Sequence, residues 1–167
     1  YFSNRYLGKK LDDEINRVFG DILEIYDDVK HLGETVGIDL IRGRDFDEDT
    51  IMRYHFVTFT DDNYDATAPY VLEFLKKRLA NCRSDKVNGL KEMEDFIKSY
   101  TESLLKFSVS LKNIMAKVYT QEKYYKLFVI LGLSATLYPL VVKLEILDKL
   151  EKTLPGEKYS DYTFLDL

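Results

Sequence analysis

The sequence predicts an all-α protein, an elongated bundle of three long antiparallel helices over about 9–36, 85–119 and 121–152, with two shorter helices over about 48–60 and 66–83. Three observations carry this. Apolar residues recur at alternating threes and fours through most of the chain, which gathers them on one side of a helix. The 167 residues are 46% hydrophobic, enough for a single domain with its own core. Only 3 Pro and 8 Gly interrupt the pattern, which excludes collagen-like and low-complexity classes.

The first helix rests on Leu11, Ile15, Val18, Ile22, Ile25, Val29, Leu32 and Val36, with Phe19, Leu23 and Tyr26 widening the stripe. Gly20 interrupts it at a cost of about 1 kcal/mol against Ala, and is read as marking a close helix contact. Gly33 and Gly37 supply the stop. Residues 38–65 form an acidic connector, with three arginines against eight acidic residues. Within it, residues 51–60 (IMRYHFVTFT) fit a helix face through Ile51, Met52, His55, Phe56 and Phe59. Their β-branched and aromatic content also fits a strand. Helix is the better reading, because no second strand offers itself for pairing. Asp47 or Asp49 is the expected cap.

The next helix tolerates Pro69 in its first turn and turns Tyr70, Val71, Phe74, Leu75, Leu79 and Cys82 to one side. Ser84 is the expected cap of the helix after it. That helix has the clearest stripe: Leu90, Met93, Ile97, Tyr100, Leu104, Phe107, Leu111, Ile114 and Val118. In the last long helix, Leu127, Ile130, Ser134, Leu137, Val141 and Leu144 share a face beside Phe128, Leu131, Ala135, Tyr138 and Val142. A helix apolar nearly all round is buried by neighbours on several sides. Pro139 removes one backbone hydrogen bond and is expected to kink it. The tail, residues 153–167, is expected to be irregular and to pack Tyr159, Tyr162 and Phe164 back on the bundle. No internal repeat or linker divides residues 1–167.

The charge-free stretch Leu127–Val142 is short of the ~20 residues that cross a bilayer, so the chain is read as having no membrane span. One cysteine excludes an intramolecular disulfide and suits a reducing cytoplasm, as does the lack of a signal-peptide pattern at Tyr1–Arg5. Abundant Lys and Glu with little Gln, Cys or Trp are features of thermophilic proteins. The net charge of −5 supplies no overall basic footprint for nucleic acid. Residues 66–120 carry ten basic against six acidic residues, and the lysines are read as a solvated surface.

The sharpest motif is Asp61-Asp62-Asn63-Tyr64-Asp65. It resembles the aspartate-rich box of all-α isoprenoid synthases. That resemblance implies a Mg²⁺-dependent enzyme acting on a diphosphate, with Asp61, Asp62 and Asp65 as metal ligands, since Mg²⁺ prefers carboxylate and phosphate oxygens. It covers five residues, and no second metal motif accompanies it. Capping aspartates in a polar loop are the simpler reading.

Other candidates fall short of their templates. Asp45, Asp47 and Asp49 open like a calcium loop, but Thr50 and Phe56 stand where Gly and Glu are needed. Glu92 and Asp95 share a helix face, as do Asp28 and His31, yet neither pair has the second copy a metal site requires. His55 reads as a packed core histidine and Cys82 as a small buried hydrophobe. The expected function is therefore non-catalytic: a helical bundle acting by self-association or binding of a protein partner. The alternatives are the Mg²⁺ enzyme and a binder of small apolar ligands near Gly132 and Pro139.

Overall fold

The computed structural model describes residues 9–35, 48–60, 67–84, 88–155 and 162–166. The fold is all-α. Its helices are α1 (Lys9–Thr35), α2 (Glu48–Phe59), α3 (Ala68–Ser84), α4 (Gly89–Thr120), the single turn α5 (Glu122–Tyr125) and α6 (Tyr138–Ile146). A π-helical turn at Lys126–Ile130 extends α5, and a 3-10 turn at Ala135–Leu137 leads into α6.

Helix α4 is the hub, because its apolar stripe is buried from Met93 to Val118. Phe107, Leu111, Ile114, Met115 and Val118 are buried in the main core with Ile22 of α1, Ile51 of α2 and Tyr138, Val141 and Val142 of α6. Two smaller clusters extend it: Leu79, Cys82, Met93 and Ile97 at the α3–α4 corner, and Phe56, Val71 and Leu75 between α2 and α3. The helical reading of residues 51–60 holds, with Ile51, His55 and Phe56 buried on one side of α2.

Two contacts give the direction of α1. Phe19 packs on the cluster of Leu79, Cys82, Met93 and Ile97, while Asp28, further along α1, pairs with Lys112, further along α4. At 1.5 Å per residue, only helices running in the same sense satisfy both contacts. The antiparallel arrangement expected of the long helices thus does not apply to this pair. The excursion through α2 and α3 is what returns the chain to the starting end.

The third long helix differs most from expectation. Instead of running over 121–152, it is broken at residues 131–134. Leu131 N–H donates to Lys126 O at 2.9 Å, and Leu133 N–H to Leu127 O at 3.2 Å. Between them Gly132 takes φ 64°, the left-handed conformation that ends helices at glycine. Pro139 therefore does not kink a continuous helix. It sits in the first turn of α6, where its missing N–H costs nothing.

Smaller corrections follow from local geometry. Ser84 ends α3, its hydroxyl donating to Asn81 O, and Asn88 precedes α4 without a side-chain cap. Asp49 lies inside α2, and Asp47 falls outside the described residues. Leu90 is exposed in the first turn of α4. Gly20 has open space where a Cβ would stand, so it marks no close contact.

Helix α6 ends in a Schellman motif. Lys149 N–H donates to Leu144 O at 2.8 Å and Asp148 N–H to Glu145 O at 2.9 Å, with Asp148 at φ 54°. The tail then folds back. Leu154 N–H donates to Tyr162 O at 2.8 Å, Leu165 is buried and Phe164 packs on the core, while Tyr162 is exposed. Tyr159 lies outside the described residues.

Candidate functional site

Three places concentrate chemistry. The first is the ion-pair cluster that the Schellman turn assembles. Lys117 of α4 donates to Glu145 Oε1 at 2.9 Å and to Glu151 Oε1 at 2.9 Å, and stands 3.3 Å from Tyr124 Oη. Tyr124 Oη donates to Glu151 Oε1 at 2.8 Å. Desolvation alone would lower the Lys117 pKa, but its hydrogen bonds to Glu145, Glu151 and Tyr124 outweigh that and raise it. Burial raises the Tyr124 hydroxyl, helped by the neighbouring Glu151. The Lys117 bond lowers the Glu151 carboxyl, with Tyr124 adding to the effect.

A cavity of about 350 Å³ lies beside this cluster, lined by Gln121, Glu122, Lys123, Glu151, Thr163 and Leu165. Much of its charge is already paired. Lys123 bonds Asp166 at 2.9 Å. The Thr163 hydroxyl and backbone N–H, with Lys123, hold the Asp166 carboxyl down to about 2. Groups stabilised in their ordinary charged states hold structure together and do not shuttle protons near neutrality.

The second place is His55. It is 2% exposed, with ring centroids 5.0 Å from Phe59, 5.0 Å from Tyr100 and 6.0 Å from Phe107. The Ser103 hydroxyl donates to Tyr100 O at 2.8 Å, so it accepts from His55 Nε2–H, also at 2.8 Å. Nδ1 is then an unprotonated buried acceptor with no hydrogen-bond partner among the described residues. Burial lowers the imidazole pKa to about 3. The aromatic box closes His55 from solvent, and the expected packed core histidine is what the structure shows.

The third place is the outer surface of the broken helix. Leu140 of α6 and the residues at its two ends, Leu137 and Leu147, are all exposed. The two charged residues of the helix turn inward instead. Lys143 donates to Thr58 O at 2.9 Å and lies over the Phe59 ring, and Glu145 reaches Lys117. Helix α6 therefore buries Tyr138, Val141 and Val142 in the core, turns both its charged residues to neighbouring elements and keeps leucines on its outer side. Ile130 and Leu131, across the break, are 66% and 71% exposed.

The remaining sequence candidates are placed plainly. Asp61, Asp62 and Asp65 lie outside the described residues, as does Asp45. Among the described residues no group of three or more His, Cys, Asp or Glu is placed to hold a metal ion. Asp28 pairs with Lys112. Glu92 and Asp95 are exposed beside the buried Met93. Cys82 is a buried free thiol. No described helix is long and apolar enough to cross a membrane. The Lys117 cluster escaped sequence reading, because Glu145 and Glu151 stand 28 and 34 residues from Lys117, where no local spacing connects them.

No family model, curated protein or solved structure matches this chain.

Proposed function

We propose that this protein is a non-catalytic helical-bundle protein that acts by associating with a second copy of itself through the outer face of α6. The observation that supports the reading is the uncharged outer side of that helix. A surface helix ordinarily turns its charges to water; here Lys143 and Glu145 turn inward while Leu137, Leu140 and Leu147 turn out. Contiguous exposed apolar side chains mark interaction sites more often than they mark plain surface.

An apolar patch is its own complement, which suits a second copy as the occupant. Two molecules of net charge −5 repel at most orientations. An uncharged leucine stripe lets a two-fold axis set the same patch against itself without like-charge contacts. Leu137, Leu140 and Leu147 from each copy give six half-exposed groups. At about 1 kcal/mol apiece they contribute on the order of 6 kcal/mol. Association costs about 4–15 kcal/mol, so the dimer should be reversible and concentration-dependent. The single cysteine, unable to form an intramolecular disulfide, supports a reducing cytoplasmic setting.

Multi-angle light scattering over a concentration series tests the reading. The native chain should shift from monomer toward dimer. The Leu140→Asp/Leu147→Asp chain should stay monomeric with unchanged helicity. A native chain that remains strictly monomeric throughout would overturn it.

A further inference from the structure

The break at residues 131–134 has the geometry of a hinge. On either side of it the spacing Leu127, Ile130, Ser134, Leu137, Val141, Leu144 continues as though the helix were unbroken. What interrupts it is the backbone at Gly132, with φ 64°. A Cβ there would meet nothing within 4 Å, so the glycine serves the backbone conformation of the elbow and not a close contact. Leu131 and Ile130 stand exposed at its outer edge.

We propose that this elbow opens, so that α6 and the chain beyond it dock on α2 and α4 of a second copy in an exchanged dimer. The proposal deepens the self-association reading and rests on it for the role of a dimer. Exchange conserves the contacts α6 makes now. Tyr138, Val141 and Val142 would fill the same core from the other chain. The bonds of Thr58 Oγ to Pro139 O and of Lys117 to Glu145 would re-form between chains. Closed and exchanged states then differ mainly in residues 131–134, and a small backbone preference decides between them.

In the opened form residues 131–134 continue the helix, and the two hinge helices lie side by side. Each can cover Ile130 and Leu131 of the other, burying side chains the closed form leaves in water. Pro139 bends the opened helix one turn upstream of itself, a kink such helices tolerate. Gly132 and Pro139 together favour the closed elbow in the single chain: glycine because it accepts the left-handed conformation without strain, proline because it starts a helix well and continues one badly.

Gly132→Ala tests this directly. Alanine strains the closed elbow by about tenfold in equilibrium terms and favours the opened helix by about fivefold. Because two hinges open per dimer, the dimerisation constant should rise on the order of a thousandfold. The resulting dimer should survive a dilution jump followed by size exclusion, because separating the chains requires withdrawing α6 from a core. It should also form with Leu140→Asp/Leu147→Asp in the same chain, which separates exchange from simple contact through the leucine face. Gly132→Asn, which tolerates the left-handed conformation, should stay close to the native chain. A Gly132→Ala chain that dimerises no more than native, folded or not, overturns the exchange and leaves the leucine-face reading standing. Equal dimerisation of the Ala and Asn chains overturns it too, because the elbow's backbone would then not be the determinant.

Discussion

Helix α4 and the segment from Glu122 to Leu147 are both rich in apolar residues, yet they spend them differently. In α4 the stripe from Met93 to Val118 faces one way and is buried in the described clusters, while Lys98 and Lys106 face water. In the later segment Phe128, Tyr138, Val141 and Val142 are buried, but Ile130, Leu131, Leu137 and Leu140 are exposed, the last at 55%. One stripe makes a helix with an inside and an outside. Two stripes make a helix that either is surrounded or keeps an apolar face in water. The break at Gly132 gives this protein the second outcome, because it turns the chain back before neighbours can enclose it.

Truncating one side chain in each region separates their roles most strongly. Phe107→Ala should cost about 3–5 kcal/mol, since Phe107 is fully buried in α4. Leu140→Ala should change monomer stability by less than about 0.5 kcal/mol. Urea unfolding at low protein concentration measures both. Comparable losses would show that the outer face of α6 is structural after all.

His55 sharpens the α4 side next, because Phe107, Tyr100 and Ser103 of α4 form part of its box. Its pKa is about 3 in the folded protein against 6.5 ordinarily. The unfolded chain therefore binds more protons between those values. The contribution is fully present above pH 6.5 and is lost as pH falls toward 3. Lowering pH from 7 to 4.5 should cost the native chain about 2–3 kcal/mol more than a His55→Phe chain. Matching pH profiles from chemical denaturation would mean that His55 meets water or a partner in solution.

The Lys117 cluster joins the two regions and supplies a smaller effect than Phe107 or His55. Lys117→Met should cost about 1–2 kcal/mol, because Glu145 loses its cation in a partly buried setting. Adding Glu145→Gln should restore part of the loss. A double-mutant cycle with no coupling would reduce the cluster to surface decoration.

How much could be read in advance varies along the chain. The stripe of α4, the helix at residues 51–60 and the packed state of His55 follow from spacing and residue type. Each depends on interactions within a few residues or on burial that the pattern itself announces. The direction of α1 against α4 was not legible, because it depends on the path taken by α2 and α3 between them. The Lys117–Glu145–Glu151 cluster was not legible either, for its members meet only after Asp148 adopts a left-handed turn.

The broken helix shows the division most plainly. Periodicity through residues 121–152 marks one helix with two apolar stripes, and Gly132 and Pro139 are visible within it. By itself the sequence determines an all-α chain, the stripe of its hub and the presence of a doubly apolar segment. These follow from residue type and the 3.6-residue repeat. Tertiary structure decides where that segment turns and which of its two faces is buried. Both outcomes satisfy the local pattern equally, and only packing against α2 and α4 separates them.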